Sequence, residues 1–340
     1  MDQHYPSFSD MADQEFYYWE KLSYDDPRKR PKPNTVTARK QRLNRLKKHF
    51  NNRAIDQIST YDVAQFYDTL TSTHEYQKIR GILTSIFQFA RTRGVFPDHL
   101  VNPGHAAQLR RIPKPTSRTV MNPDQYVSIY MEAPEWLQLS MDLILQTALR
   151  QQDIWALRWE QMKDNCLYVI PQKSYTQRRN NQQQSRLCFE LNRNPKLAEV
   201  IERARAIKRR LEESYQEARQ CPYVIMRTDI QRFKTGKTKH CPFQINRTLA
   251  AHALKKARDM AIKNTSAFDG LSKEQLPAFH GIRKLSLQLM RKAGADDQYL
   301  QTIAAHTDFK LTEESYLTPN TAIWQRLGYY EIELPKPEIQ

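Results

Sequence analysis

Apolar residues in the first third of the chain recur with the three- and four-residue spacing of amphipathic helices. After a short aromatic helix within the first thirty residues, this pattern predicts helices over 35–50, 60–70 and 76–93. Ser59 or Thr60 can cap the second of these, and Gly94 is a typical end for the third. Residues 9–105 are therefore predicted to form an all-α domain.

The periodicity then stops before a second domain begins. Residues 103–117 contain three prolines, are basic and lack a sustained period, so an interdomain linker is placed at 106–121. Asn122 and Pro123 form a helix start, and the nearly continuous apolar run 136–149 predicts a buried helix that leads into Arg150.

The remainder of the second domain mixes helices with short strands. A short amphipathic helix is predicted at 153–159, strands at 167–170 and 186–191, and longer helices at 195–219 and 245–262. The polar loop 173–185 joins the two strands and places Lys173 at a strand tip. The predicted fold for 122–321 is mainly α with a small β-sheet (α+β).

Residues 277–316 contain the most informative set of reactive side chains. His280 and Arg283 are three residues apart on a helix that stops at Gly294, so both point to one face. A second short helix over 297–305 leads to His306, and Tyr316 follows in a polar segment. A cation, two imidazoles and a phenol brought together suggest phosphate chemistry with a tyrosine nucleophile.

The charge of the chain agrees with a polyanionic partner. Lys and Arg number 53 against 37 acidic residues, a net charge of +16, and the pI is near 9.6. Nucleic acid is the commonest partner for such an excess, and the basic face of the 35–50 helix is predicted to meet phosphates. A membrane surface is the rival, but no apolar run approaches the ~20 residues of a spanning helix.

Further features of the sequence bear on compartment and on metal binding. The polar, acidic start is not a signal peptide, so an intracellular protein with reduced thiols is expected. Cysteines 166, 188, 221 and 241 are scattered without a CxxC pair, which argues against a zinc site or a disulfide framework.

With these residues the chain resembles the tyrosine recombinase (phage integrase) family. The resemblance is carried by six positions in the family's order. TALRQQD supplies Arg150, QKS supplies Lys173, HGIR supplies His280 and Arg283, AAH supplies His306 and EESY supplies Tyr316. Two departures are Ala304-Ala305 in place of the family's usual Leu-Gly, and a His306-to-Tyr316 gap that is one residue longer than is typical.

The resemblance implies a role for each position. Arg150 and Arg283 would hold the nonbridging phosphate oxygens bidentately, and His306 would donate a further hydrogen bond to the phosphate. His280 would be the base for Tyr316, and Lys173 the acid that protonates the leaving 5′ oxygen. The product would be a 3′-phosphotyrosyl link, made with neither metal nor ATP.

Partners and domain roles also follow from the resemblance. Residues 9–105 would be a core-binding domain and 122–321 the catalytic domain, acting on double-stranded DNA with inverted-repeat core sites. The expected assembly is a homotetramer on DNA, with DNA-bending or directionality proteins as candidate accessory partners and no membrane. The expected location is the cytoplasm of a bacterium or phage-infected host, associated with the nucleoid. No small N-terminal arm-binding domain is visible.

Several alternatives stay open. A topoisomerase IB-like nicking-closing enzyme would use the same residues without strand exchange, and a catalytically idle regulator would bind DNA only. Asp153 is interpreted as orienting Arg150 or capping a helix, and Trp155 and Trp159 as core residues. The apolar tail, 322–340, is predicted to be a short helix ending near Gly328 followed by a strand-like piece. It either folds back on its own domain or, as is common in the family, docks on a neighbouring protomer.

Overall fold

The computed structural model describes residues 5–22, 30–108, 120–171, 186–230, 241–273, 275–304, 325–332 and 334. The chain divides into two compact units, Met1–Thr116 and Ser117–Gln340. Both are mainly helical, and the small sheet belongs to the second, which confirms the predicted fold class.

The first unit is built from helices. They are α1 (Phe8–Tyr17), α2 (Pro33–Phe50), α3 (Thr60–Asp68), α4 (Thr73–Thr92) and α5 (Pro103–Ala106), with a π-helical turn at Tyr18–Leu22. Of the two predicted caps for α3, Ser59 is the one used: its hydroxyl accepts from the Asp62 amide while the Asp62 carboxylate accepts from the Ser59 amide. The apolar sides of α2, α3 and α4 meet in one core that contains Leu46, Phe50 and Ile86.

Half of the basic residues predicted to face phosphates from α2 are instead paired within the unit. Arg39 binds the buried Glu15 carboxylate at 2.6 Å, Arg42 binds Glu75 at 2.9 Å, and Lys47 binds Asp13. The exposed cations that remain on this helix are Lys40, Arg45 and Lys48. The α2 surface is therefore less basic than its sequence suggests.

Helix α5 lies at the start of the stretch 103–117, which was predicted to lack regular structure. In α5, Gly104 lies so close to α4 that an added Cβ would be 2.6 Å from the backbone of Leu83 and Thr84. The buried Tyr67 hydroxyl donates to the Gly104 carbonyl at 2.9 Å. This close approach requires glycine, and it fixes α5 to the first unit.

The second unit has a helical core with a small sheet at one side. Its helices are α6 (Pro123–Glu132), α7 (Glu135–Thr147), α8 (Gln151–Trp155), α9 (Pro195–Ser214), α10 (Arg247–Asn264), α11 (Phe279–Lys292) and α12 (Asp297–Ala304). Its strands are β1 (Met162–Lys163), β2 (Cys166–Val169), β3 (Leu187–Glu190) and β4 (Gln325–Leu327). Helix α7 is buried at ten of its 13 residues, as its apolar run predicted.

Three of the predicted helices have bounds that differ from the prediction for identifiable reasons. The predicted 153–159 helix is instead α8, which ends at Trp155, because the Leu157 carbonyl accepts from the Val224 amide at 2.9 Å and the backbone there becomes extended. Helix α9 stops at Ser214, where Tyr215 is extended and a 3₁₀ turn follows. Helix α10 starts at Arg247 because the Asn246 side chain caps it.

The sheet has the order β1-β2-β3-β4. Asp164 and Asn165 join β1 to β2 with positive φ angles of 51° and 57°, the left-handed conformation that two-residue hairpin turns need. Strands β2 and β3 are antiparallel, as predicted, with Leu167 opposite Phe189. Strand β4 is parallel to β3, with Leu327 opposite Phe189.

The prediction of a helix ending near Gly328 is wrong, because Gln325–Leu327 form strand β4 instead. This strand takes the free edge of β3, and Leu327 and Ile332 are buried in the core of the unit. Lys196 fixes the segment further by donating to the Ile332 carbonyl at 2.9 Å. The described part of the tail thus folds back on its own unit; docking on a neighbouring protomer remains a proposal.

Candidate active site

Arg150 is positioned by a sharp turn at the end of the buried helix α7. Ala148 adopts the left-handed conformation (φ 48°) and ends α7, and Leu149 is buried. Arg150 then becomes the extended N-cap of α8, with its carbonyl accepting from the amides of Asp153 and Ile154. The turn leaves the Arg150 side chain half-buried, between core and solvent.

Arg283 is held from two sides on α11. Its side chain is only 4% exposed, and its guanidinium donates one hydrogen bond to the Ala148 carbonyl and another to the Ala304 carbonyl. It thereby joins the turn before Arg150 to the last residue of α12. One turn further along α11, the Ser286 hydroxyl donates to the Leu145 carbonyl at 2.5 Å. Helix α11 is therefore bonded to the C-terminal end of α7 at two successive turns.

His280 lies in the first turn of α11, one turn before Arg283, and is exposed. Between them, Gly281 faces the core residue Met121, whose Cβ would be 3.1 Å from a Cβ added to the glycine. Glycine in HGIR therefore lets the start of α11 pack closely against Met121. His280 is thus exposed and Arg283 is buried, although the two residues lie one turn apart on the same helix.

The electrostatics show that Arg150 and Arg283 are neighbours although 133 residues separate them in sequence. Burial, followed by repulsion from Arg150, lowers the pKa of Arg283 to about 10, and the Asp153 carboxylate opposes that shift. The Asp153 carboxylate offsets only part of the charge of the two guanidiniums, so the pair still favours binding of an anion. A phosphate that binds between them would relieve both the repulsion and part of the desolvation.

Lys173, His306 and Tyr316, the other three predicted site residues, lie outside the described residues. In sequence, each of them is near an element that the structure describes. Lys173 follows β2 by four residues, His306 follows α12 by two, and Tyr316 precedes β4 by nine. Their roles remain predictions.

Sequence reasoning undervalued Asp153. It was interpreted as orienting Arg150 or capping a helix, yet it is 5% exposed and close enough to Arg283 to raise the pKa of that guanidinium. The available signal was an acid directly after a buried run, three residues from an arginine. Trp155 is a core residue, as predicted: it is 6% exposed and packs edge-to-face on Phe279.

Tyr299, another tyrosine near this region, is a poor candidate for the nucleophile. Its hydroxyl donates to the Gly328 carbonyl at 2.8 Å, and its ring packs on Tyr330. Burial raises the pKa of Tyr299 above its ordinary value, which disfavours the phenolate. This residue instead ties α12 to the segment after β4.

The described residues contain no cluster of three or more histidine, cysteine or acidic side chains that could hold a metal ion. No helix among them has the length and apolar character needed to cross a membrane.

Comparison with known proteins identifies the family of the chain. A family model described as "Phage integrase family" matches residues 119–322, more than half of the chain. The integrase of Escherichia phage HK022 is 27% identical over 150 residues, and that of Escherichia phage lambda is 25% identical over 149 residues. Each match covers 42% of this chain and 40% of the relative, so less than half of either relative is spanned.

Solved structures share the fold over a longer stretch. A lambda integrase tetramer bound to a Holliday junction matches 91% of this chain and 77% of its own, with a TM-score of 0.66 and 18% identity. The integrase of transposon Tn1549, in complex with circular intermediate DNA, matches 89% of this chain and 92% of its own, with a TM-score of 0.58 and 13% identity. At these identities the likeness shows the fold alone.

Proposed function

The chain belongs to the phage integrase family of tyrosine recombinases, and on that premise we propose that it is a site-specific DNA recombinase serving a phage or other mobile element. It cuts a DNA strand by attack of Tyr316 on the phosphodiester, holds the 3′ end as a phosphotyrosyl link, and rejoins it to a new 5′ hydroxyl. The observation that carries the proposal is the convergence of Arg150 with the buried Arg283.

The two arginines suit a phosphodiester in mid-reaction. Attack builds negative charge on the nonbridging oxygens, and planar guanidiniums can hold these oxygens with paired hydrogen bonds. The bonds from Arg283 to two backbone carbonyls use two of its five N–H groups and fix its orientation before DNA arrives. By analogy with oxyanion donors, each arginine would contribute ~3 kcal/mol to the transition state.

Proton transfer would involve the other predicted residues. A tyrosine with an ordinary pKa of about 10 needs a base or a cationic field to attack at neutral pH. His280, exposed one turn from Arg283, is proposed as that base, and the arginine pair supplies the field. Lys173 would protonate the leaving 5′ oxygen, and His306 would donate to the phosphate. No step needs a metal or ATP.

Exposed cations in both units are candidates for DNA backbone contact. In the first unit these are Lys40, Arg45 and Lys48 of α2. In the second unit the exposed side of α10 includes Lys256 and Lys263, and Arg247 is exposed in its first turn. Affinity from such contacts is largely electrostatic and falls steeply with salt. The target would be duplex DNA with inverted-repeat core sites, bound by four copies of the chain.

Two rival functions predict different products. An idle DNA-binding regulator would need neither the pair formed by Arg150 and Arg283 nor Tyr316, so the presence of all three favours an enzyme. A topoisomerase IB-like enzyme would share the site but lack strand exchange between duplexes.

The test uses the full chain and a duplex with a nick one to three nucleotides from the cleavage site. Loss of the short fragment would trap the covalent complex, and trapping should persist in EDTA. Joining of strands between two labelled duplexes would then distinguish a recombinase from a nicking-closing enzyme. Failure to form any covalent complex on DNA that the chain binds specifically would contradict the proposal.

A further inference from the structure

A pair of thiols in the second unit has no part in the chemistry proposed above. The Cys241 Sγ lies 3.1 Å from the Cys221 Sγ. Cys221 is 1% exposed, whereas Cys241 is partly exposed, so one sulfur is protected and the other can be reached from solvent. Bonded sulfurs are separated by about 2.0 Å, so the two atoms need to approach by only about 1 Å to form a disulfide.

The backbone on each side of the pair is fixed. Cys221 ends a 3₁₀ turn, and the Pro222 carbonyl directly after it accepts from the Trp159 amide at 3.0 Å. On the other side, Phe243 is fully buried, and its carbonyl accepts from the Arg227 amide at 3.0 Å. The segments that carry the two thiols therefore run side by side, and the short sulfur distance is a product of the fold.

The residues between the two cysteines are unusually basic. Positions 222–240 contain five Lys or Arg residues and one acid. A disulfide would close this segment into a ring at its base. That arrangement differs from the expectation, based on the scattered cysteines, that no disulfide would form.

We propose that Cys221 and Cys241 are an oxidisable dithiol that a small-molecule disulfide converts into an intramolecular disulfide. The Cys241 thiolate attacks the oxidant, forms a mixed disulfide and releases one small thiolate. The Cys221 thiolate then attacks the Cys241 sulfur and expels the second. Two protein thiols are oxidised, one disulfide oxidant is reduced to two thiols, and the two protons pass from the cysteines to these products.

The environment of Cys221 sets the rate of the second step. Burial, followed by the hydrogen bond with Cys241, raises the pKa of Cys221 to about 12. The thiolate is the attacking species, so the ring should close slowly at pH 7 and about tenfold faster for each pH unit up to 9. In a thiol-buffered compartment the pair would be reduced at rest.

The other two cysteines are a separate pair in the sheet. Tyr168 lies opposite Cys188 and Cys166 lies opposite Glu190, so Cys166 and Cys188 are diagonal neighbours on β2 and β3, and their side chains are hydrogen-bonded. A disulfide between them would be a different cross-link, and replacing Cys166 should leave the one between Cys221 and Cys241 unaffected.

The experiment treats the reduced full-length protein with mixtures of oxidised and reduced glutathione, traps free thiols with N-ethylmaleimide and maps peptides without reduction. The expected product is a Cys221–Cys241 cross-link, reversed by dithiothreitol, that raises the Tm of the second unit by about 5–10 °C through ring closure. Cys221→Ser should instead accumulate glutathione on Cys241, and Cys166→Ser should cross-link like the wild type. Because the mapping is made first on the wild type, a variant that fails to fold does not affect it. A stable mixed disulfide on wild-type Cys241 without ring closure, or a cross-link that joins Cys221 or Cys241 to Cys166 or Cys188, would overturn the proposal.

Discussion

Replacing Arg283 with alanine should both destabilise the second unit and abolish strand cleavage, because this residue has a structural and a chemical role. Its guanidinium joins the Ala148 and Ala304 carbonyls, and alanine would leave both of these buried groups without that donor. Arg150, by contrast, is only half-buried, so its replacement exposes less of the core to change. The two alanine variants should therefore differ in their free energy of unfolding, while both should lose strand cleavage.

The size of the stability effect can be estimated from opposing contributions. Two hydrogen bonds from a charged donor contribute about 3–6 kcal/mol, and burial of the side-chain methylenes contributes about 2 kcal/mol. Against this, the fall in the pKa of Arg283 from its ordinary value to about 10 corresponds to about 3 kcal/mol lost in burying the charge beside Arg150. Arg283→Ala should thus lower the free energy of unfolding by about 2–5 kcal/mol, or Tm by about 5–15 °C.

The assay is urea unfolding of Arg283→Ala, Arg150→Ala and the double variant, with Lys284→Ala as the matched loss of a cation on the same helix. Arg150→Ala should change stability by about 1 kcal/mol or less, and Lys284→Ala by no more than about 0.5 kcal/mol. Since Arg150 repels Arg283, the Arg283→Ala loss should be about 1 kcal/mol larger when Arg150 is already absent. Sulfate, as a phosphate substitute, should stabilise the wild type more than either arginine variant.

Cleavage of the nicked duplex should fall at least about 10²-fold for either arginine variant. The reasoning would be refuted if Arg283→Ala unfolded at the wild-type urea midpoint, since the two carbonyl bonds would then contribute nothing. It would also be refuted by a coupling of opposite sign, because the arginines would then not repel each other.

Three further predictions concern other parts of the chain. Lys173→Ala should be rescued by a 5′-phosphorothiolate substrate, whose sulfur leaves without an acid, while Arg150→Ala should not; absence of rescue would remove Lys173 from the acid role. Ile332→Ala should destabilise the second unit by about 2–4 kcal/mol because this residue is 3% exposed, whereas the exposed Glu331→Ala should have little effect; equal stability of the two variants would show that the tail does not complete the core in solution. Bonds from Arg53 and then Ser59 hold the pKa of Asp62 below its usual range, so its contribution is present above about pH 4 and is lost as the pH falls through the folded-state pKa. Asp62→Asn should therefore cost about 1 kcal/mol at pH 7, with a difference from wild type that shrinks in acid, and a pH-independent difference would contradict the assignment.

Much of the fold could be predicted from local pattern. Helices α2, α4 and α7 have long apolar stripes and recognisable ends, and the capping residues before α3 and α6 are the types that helix starts prefer. Strands β2 and β3 were also found from their apolar content. In each of these cases the sequence signal and the burial in the folded unit coincide.

The errors arose where a distant segment decided the local structure. Arg158 is extended because it pairs with Tyr223, and Gln325–Leu327 is a strand because β3 offers it a free edge. Neither partner is near in sequence. The short apolar run before Gly328 fits a helix turn and a strand equally well, and pairing with β3 selects the strand.

The candidate site shows the same division. Order and residue type pointed to Arg150, His280 and Arg283, but the burial of Arg283 and its bonds to two carbonyls follow from packing of α11 against α7 and α12. Asp142 is similar: it is an acid within the apolar part of α7, and it accepts hydrogen bonds from Tyr126, Tyr130 and Arg203 on the neighbouring helices. Such partners become visible only once the helices are in place.

The most direct test of the central proposal is the identity of the residue joined to DNA. After trapping on the nicked duplex and digestion, mass spectrometry of the nucleotide-linked peptide should find the link on Tyr316, and Tyr316→Phe should bind the site but form no adduct. Tyr299, with its hydroxyl bonded to Gly328, serves as the comparison, and Tyr299→Phe should still form the adduct. A link on any residue other than Tyr316, or undiminished adduct in Tyr316→Phe, would contradict the account.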